Sequence, residues 1–322
     1  MVLGGASQVG SYIAEQLLAS SAREVILLDN LSLGSLEMLK PLLADSRCKF
    51  VRADVLRLNE LFDPLANADG VFAVAGIMAT NIGENPWMGL DVNIRGLQNT
   101  LEACRHQGVK KLVFSSSAGV YGALQDDPTD ENSPLRWQSL APAMALYCAS
   151  KVVGESLAKF YQQRHGVDFV ALRYTAVYGE RQHGRALMGG GIAAACNRLR
   201  DGQAASIEGD GRQAHDYIFA GDAAAANVLA MESLVTGEGI NICSGVDTSQ
   251  NRIMEIVTQA CGSNLKPEYT SSAIEGKLPA AMKQGYSREK AKLLLGWEPR
   301  VSIEDGIGKV LRWVDEKRAN AT

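Results

Sequence analysis

A chain of 322 residues is long for one ordinary domain and short for three, so one large domain or two coupled ones are expected. Hydrophobic residues at 46% and charged residues at 21% exclude disorder, and a net charge of −4 excludes nucleic acid as the main partner, because a polyanion binder carries a basic excess. No run of about 18 apolar residues marks a membrane span, and six scattered cysteines without a CxxC or Cys/His cluster read as reduced thiols of a cytoplasmic protein with no structural metal.

In chain order, Met1 to Gly5 lacks the basic segment of a signal peptide. Only three residues precede Gly4, where a central strand has about five or six, so the first strand is clipped or starts earlier. A helix is expected over Ser11 to Leu18. Val25–Leu28, Lys49–Val51, Val71–Val74 and Lys111–Phe114 are short, apolar and β-branched or aromatic, as strands buried on both faces are. Asn93, Leu97, Thr100, Leu101 and Cys104 mark one face of a helix over 90–106, and a second helix is expected over 147–163. Asp168–Arg173 reads as a sixth strand. Glycines 189–191 and Gly209-Asp210-Gly211 then punctuate a less regular region, and Ile240–Cys243 reads as a short strand returning to the main sheet. Ser302 with Asp305 forms a capping box before a helix holding Val310, Leu311 and Trp313. The alternation predicts an α/β fold: a Rossmann-like doubly wound parallel sheet with a smaller C-terminal α/β lobe. Residues 1–173 plus about 216–244 would form the dinucleotide-binding part, and about 174–215 plus 245–322 the substrate lobe.

Three constellations carry chemistry. Gly4-Gly5-Ala6-Ser7-Gln8-Val9-Gly10 joins the first strand to a helix, a turn that lets a pyrophosphate approach the backbone and the helix N-terminus. Asp29 ends the second strand 19 residues after Gly10, where an acid accepts from an adenosine ribose and repels a 2′-phosphate, favouring NAD over NADP. The plainer reading of Asp29 is a turn-forming acid beside Asn30. Second, Tyr147 and Lys151 are four apart and share a helix face. A cation there favours the phenolate and makes Tyr147 a candidate general base. Third, the strand from Lys111 ends in Ser115, Ser116 and Ser117, which puts hydroxyls at the carboxyl edge of the sheet where α/β folds bind ligands.

Together these resemble the extended short-chain dehydrogenase/reductases, specifically the NAD-dependent epimerase/dehydratase family acting on nucleotide sugars. The resemblance runs through Asp54-Val55, Asn93 with Gly96, Val120-Tyr121-Gly122 and Arg173-Tyr174 before Val177-Tyr178-Gly179. It continues through Gly209-Asp210-Gly211, Asp216-Tyr217, Asn241-Ile242 and Leu295-Gly296-Trp297-Glu298-Pro299. It implies NAD held by the turn residues Gly4, Ser7, Gln8, Val9 and Gly10, by Asp29, Asn30, Asp54 and Val55, and by Ala73, Ala75, Asn93 and Ser115. It implies Tyr147 as base, Lys151 on the ribose hydroxyls, and Tyr174 and Val177 flanking the nicotinamide. Gly76, Ser117, Ala118, Arg181 and His215 would meet the substrate, with Ser117 bonding the reacting hydroxyl or ketone. Helices 90–106 and 147–163 would form a four-helix homodimer interface.

Within the family, 4,6-dehydratases place Asp-Glu after the catalytic Ser/Thr, and decarboxylating relatives place a Glu there. Ala118 and Gly119 stand here instead, so the sequence is most similar to the 4-epimerases, whose reaction needs no further acid or base. Several positions depart from the family. Ser7 replaces the second glycine, and Ala73 replaces a histidine. Ala176 replaces an asparagine that contacts substrate phosphates, and His215 replaces an arginine that pairs with the diphosphate. Arg181 and Arg185 either compensate from the preceding loop or are solvated surface charges. Alternatively the substrate carries no nucleotide diphosphate, and the reaction is a net oxidation or reduction of a hydroxyl or ketone. A non-catalytic NAD-binding protein is a further reading, opposed by the retention of Ser117, Tyr147 and Lys151. His215 has a plain reading as a partly exposed histidine beside Asp216. Trp87 and Met88, in an expected loop after Pro86, either reach over the pocket or belong to core or interface, and Cys148 reads as packing.

Overall fold

The computed structural model describes residues 1–122, 128–137, 140–182, 190–270 and 285–320. Arg185 lies outside them. Seven strands form a parallel sheet: β1 (Val2–Leu3), β2 (Val25–Asp29), β3 (Cys48–Arg52), β4 (Gly70–Ala73), β5 (Lys111–Ser117), β6 (Asp168–Tyr174) and, much later, β10 (Glu238–Ile242). Their order is β10-β6-β5-β4-β1-β2-β3. The remaining strands, β7 (Ala176–Tyr178), β8 (Ser206–Glu208), β9 (Ala214–Phe219), β11 (Asp247–Ser249) and β12 (Glu268–Thr270), build two small sheets, β11-β9-β7 and β12-β8.

Alternation along each strand explains the doubly wound layers. Val2, Leu27, Phe72, Val113 and Val170 enter one core, and Leu3, Leu28, Val71, Leu112 and Phe169 the other. Helices α1 (Gln8–Ala19) and α2 (Lys40–Leu43) cover the first face. The second is covered by α3 (Leu58–Leu65), α6 (Leu97–Gln107) and α7 (Pro142–His165). Each buried aliphatic side chain contributes about 1.5–3 kcal/mol relative to exposure. A clipped β1 is tolerated because both residues are fully buried and paired on both sides, to β2 and to β4.

Two sequence expectations change. The stretch 90–106 is not one regular helix: short helices α4 (Ala79–Glu84) and α5 (Pro86–Leu90) precede a π turn, Asp91–Gly96, before α6. Trp87 and Met88 therefore sit in a helix capped by Asn85, not in a loop. Trp87 is 84% exposed, so it is not a core residue of its own chain.

The small lobe gathers α8 (Gly190–Arg200), α10 (Gln250–Ala260) and α12 (Ile303–Ala319) around a third core. Ser302 caps α12 as the sequence predicts, accepting from Asp305 N at 3.1 Å and donating to its carboxylate at 2.7 Å. Helix α9 (Ala220–Glu232) returns to the large sheet, and α11 (Glu289–Leu295) leads into the Trp297 motif. Trp297 Nε1 donates to Asp222 O at 2.9 Å, and the Asp222 carboxylate accepts from Arg300 N and Val301 N. The chain leaves the large sheet after Tyr174 and again after Ile242. Buried Asp216 holds both crossings, accepting from Thr175 Oγ1 (3.0 Å), Ser244 N (2.8 Å) and Gly245 N (2.7 Å).

Candidate active site

Strands β2 and β3 lie to one side of β1 and β4 to the other, so the order reverses at the carboxyl ends of β1 and β4, a crevice where such sheets bind ligands. The glycine turn lies there. Gly4 has φ +81°, and a Cβ on it would lie 2.6 Å from Ala75 N. A Cβ on Gly10 would lie 2.3 Å from Gly4 O, so only glycine lets α1 start this close to the strand. Ser7 is the N-cap: its Oγ accepts from Gly10 N (3.2 Å) and donates to Gly4 O (2.6 Å). The serine at the family's second glycine thus braces the turn. Val9 follows in the first helical turn, while Gln8 Nε2 reaches Glu180 O at 2.8 Å.

Asp29 accepts from Ala6 N (3.0 Å) and Leu31 N (2.8 Å), holding the turn around itself, and burial lifts its pKa. Asn30 Nδ2 donates to Asp54 Oδ2 at 3.2 Å, and Val55 lies buried beside Gly96. Ala73 ends β4 and Ala75 N donates to Leu3 O, which closes the other wall.

Next along the sheet edge, α7 lies over the end of β5. Ser117 Oγ and the Tyr147 ring both border Gly119, 3.2 and 3.7 Å from where a Cβ on it would stand. Lys151 Nζ donates to Ser115 O at 2.9 Å and lies 5.7 Å from the Tyr147 ring centroid. A Cβ on Gly76 would stand 3.3 Å from Lys151 Nζ and 3.4 Å from Asn93 Oδ1. Asn93, buried in the π turn, accepts from Ile77 N (2.7 Å) and donates to Ile77 O (3.0 Å) and Ser150 Oγ (3.1 Å). π turns of this kind collect at functional sites, and helical periodicity does not reveal them.

Burial sets the charges here. It pushes Tyr147 up to about 12, against a lowering influence of Ser117, and pushes Lys151 down to about 8 against the opposing field of Glu155. The helix spacing predicts that Lys151 lowers Tyr147; in the folded protein desolvation of the phenolate dominates, and Lys151 is not among the groups that shift it. Ala118 is buried and opens the 3-10 turn Ala118–Tyr121, whose Gly119 N donates to Ser117 Oγ at 3.0 Å. Cys148 is buried, and its thiol is pushed up to about 12, which suits packing.

Of the other predicted residues, Tyr174 joins this cluster through Ser115, while Val177, His215 and Arg181 stand outside it. Tyr174 Oη is shared with Ser115 Oγ (3.2 Å) and receives Asn227 Nδ2 (2.6 Å). Val177 and Ala176 start β7, where Ala176 pairs with Tyr217 of β9. His215, on β9 opposite Thr248, stacks edge-on to Tyr217 at 6.2 Å. Arg181 is committed to α1: it pairs with Glu15 at 2.5 Å and lies over the Tyr12 ring at 4.6 Å, in a left-handed conformation with φ +62°. Sequence reasoning passed over Glu155 and Asn227. The signal for Glu155 was its spacing, one further helical step of four beyond Lys151.

The family model described as NAD dependent epimerase/dehydratase family matches residues 1–243. The chain belongs to that family. Its cofactor is NAD, and the turn fits it: with glycine at 4 and 10, where a Cβ would strike Ala75 N and Gly4 O, the N-terminus of α1 starts directly at the end of β1. The chain is 34% identical to a putative UDP-glucose 4-epimerase of Methanocaldococcus jannaschii over 98% of this chain and 97% of the relative. It superposes on the UDP-glucose 4-epimerase of Thermotoga maritima, solved with UDP-glucose, with TM-score 0.87, 28% identity and 98% of both chains covered. A dTDP-glucose 4,6-dehydratase double mutant of Streptomyces venezuelae, solved with NAD, matches with TM-score 0.87 and 27% identity, covering 99% of this chain and 97% of the other. Family members of both chemistries thus share this fold.

Proposed function

We propose that the protein epimerises a nucleotide sugar at C4. The observation that carries this reading is the packing after Ser117. Ala118 is buried, and a Cβ on Gly119 would press on Cys148 Sγ and Ser117 Oγ, each at 3.2 Å. An acid for elimination has neither residue nor room there, whereas epimerisation needs one base and a hydride carrier. NAD, which the glycine turn, Asp29 and Lys151 would hold, would supply that carrier when bound, as a reversible hydride acceptor at C4. Tyr147 accepts the O4 proton and gives it back. Ser117 donates to O4, which becomes the carbonyl oxygen of the 4-keto sugar. Lys151 holds the ribose hydroxyls and offsets the charge on Tyr147. Asp29 orients the adenosine ribose, with Asn30, Asp54 and Val55 around the adenine. Residues 1–173 with about 216–244 hold the cofactor on this reading, and about 174–215 with 245–322 the sugar nucleotide.

The test is proton NMR of the protein with NAD and a panel of UDP-, GDP- and dTDP-hexoses and hexuronates. A C4 epimer without NADH build-up is expected; NADH accumulating with substrate would refute epimerisation. It would favour a second reading, net oxidation or reduction of a substrate lacking a diphosphate. The engagement of Arg181 by Glu15, with Ala176 and His215, supports that alternative.

We also propose a homodimer through 90–106 and 147–163. Val153 and Phe160 of α7 are exposed, as is the neighbouring Trp87. Light scattering at micromolar concentration should give twice the chain mass. The described residues contain no helix long and apolar enough to cross a membrane, and all six cysteines are free, which supports a cytoplasmic site of action.

A further inference from the structure

Tyr147, Lys151 and Glu155 form one stripe of α7 at successive steps of four. The last three residues of β5 answer them one for one. Ser117 Oγ lies with the Tyr147 ring beside Gly119, the Ser115 carbonyl takes Lys151 Nζ at 2.9 Å, and Ser116 Oγ donates to Glu155 Oε1 at 2.6 Å. Glu155 is then gripped by Arg173 of β6 through both oxygens, Nε to Oε1 at 3.0 Å and Nη2 to Oε2 at 2.7 Å. Arg173 Nη1 continues to Tyr121 Oη at 2.8 Å, at the end of the turn that begins beside Ser117, and Tyr121 donates to Asn241 Oδ1 at 2.6 Å. The pair is largely buried, with 17% and 14% of the two side chains exposed. Ion pairs this buried add little net stability over apolar packing, so stability alone does not account for one here.

We propose that Glu155 is a positioning residue: it fixes α7 in register on β5 and keeps a negative charge on the Lys151 side of the helix, so that Lys151 stays an ammonium beside Tyr147. The inference rests on the reading of Tyr147 and Lys151 given under Proposed function. The groups facing Lys151 from each packed element are Tyr147 on its own helix, Phe114 and the Ser115 carbonyl on β5, Gly76 after β4 and Asn93 in the π turn. None of them carries a fixed negative charge. Among the described residues Glu155 supplies one, and it acts against the burial that favours neutral lysine. Its loss would also leave the Arg173 cation unpaired on the same side.

The test compares wild type, Glu155→Gln, Glu155→Asp and the double variant Glu155→Gln/Arg173→Gln, each as the full chain. Competitive acetylation of Lys151 by acetic anhydride across pH, read by mass spectrometry, gives the titration midpoint of that amine without using turnover. Glu155→Gln is expected to lower the midpoint by about one pH unit and to lower kcat about tenfold with little change in KM. The alkaline limb of the kcat profile should move down with it, and Glu155→Asp should restore much of both. If Glu155→Gln does not fold, the double variant, which leaves no unpaired charge, tests the same coupling and is expected to lower the midpoint in the same direction but by less. An unchanged midpoint in a folded variant overturns the inference, whatever happens to activity. A lowered midpoint in a protein whose wild type turns over no sugar nucleotide and no other hydroxyl substrate would overturn the role given to Tyr147, while supporting the coupling between Glu155 and Lys151.

Discussion

The cofactor turn and the substrate side of the cleft are built on different principles. Around Gly4, Ser7, Gly10 and Asp29, backbone and side chains satisfy one another at fixed distances, so the chain alone shapes the cradle. Across the cleft, Ala176 brings no polar side chain, His215 stacks on Tyr217, and Arg181 answers to Glu15. Both sides depart from the pattern of the resemblance, Ser7 on the first and Ala176 and His215 on the second, but only the first closes on itself. On the proposed reading the first side serves the hydride chemistry, and the second decides which molecule is presented to it.

The strongest way to sharpen that contrast is Tyr147→Phe, which keeps the ring and removes the oxygen that the proposed reaction uses to accept a proton. Turnover should fall by about 10²–10⁴-fold, while NAD affinity measured by calorimetry stays within about twofold. A comparable loss of NAD binding would break the separation between the two sides. Next, Gly10→Ala drives a methyl into Gly4 O and should cost about 1–3 kcal/mol in chemical denaturation, with weaker NAD binding. A neutral result would mean the cradle is less tightly built than its contacts imply.

The pH dependence of stability gives a smaller effect. Lys151 titrates near 8 in the folded protein against an ordinary 10.5, so between these values the unfolded chain holds more protons and stability from this site rises with pH. Lys151→Met removes that rise. Its melting temperature, higher relative to wild type below pH 8, should lose about 4 °C of the advantage by pH 10.5. The smallest change is expected from His215→Arg. A permanently charged fork should lower KM for a nucleotide diphosphate sugar about twofold to fivefold and leave kcat alone. No change in KM would favour a substrate without the diphosphate.

Much of this was readable from residues. Strands buried on both faces announce themselves as apolar runs, and the glycine turn, Asp29, the three serines and the Tyr147/Lys151 spacing all lie within local stretches of chain. What stayed hidden depends on long-range contact. The π turn around Asn93 has no periodic signature, because its register is set by Ile77 and Ser150. The high pKa of Tyr147 comes from burial, which spacing does not reveal. The commitment of Arg181 to α1 joins residues far apart in sequence, and only the folded chain brings Glu15 to it.

The interleaved chain order also bears on how the protein is made. Six strands of the large sheet are complete once Tyr174 has left the ribosome, but the seventh, β10, follows only after the first part of the small lobe. Until Glu238–Ile242 arrives, β6 presents an open row of backbone donors and acceptors, the kind of edge that recruits other strands. The nascent protein thus passes through an interval in which β6 is the open edge; β10 then takes its place as the edge strand, where Glu131 accepts from Asn241 N and Lys290 donates to Gly239 O.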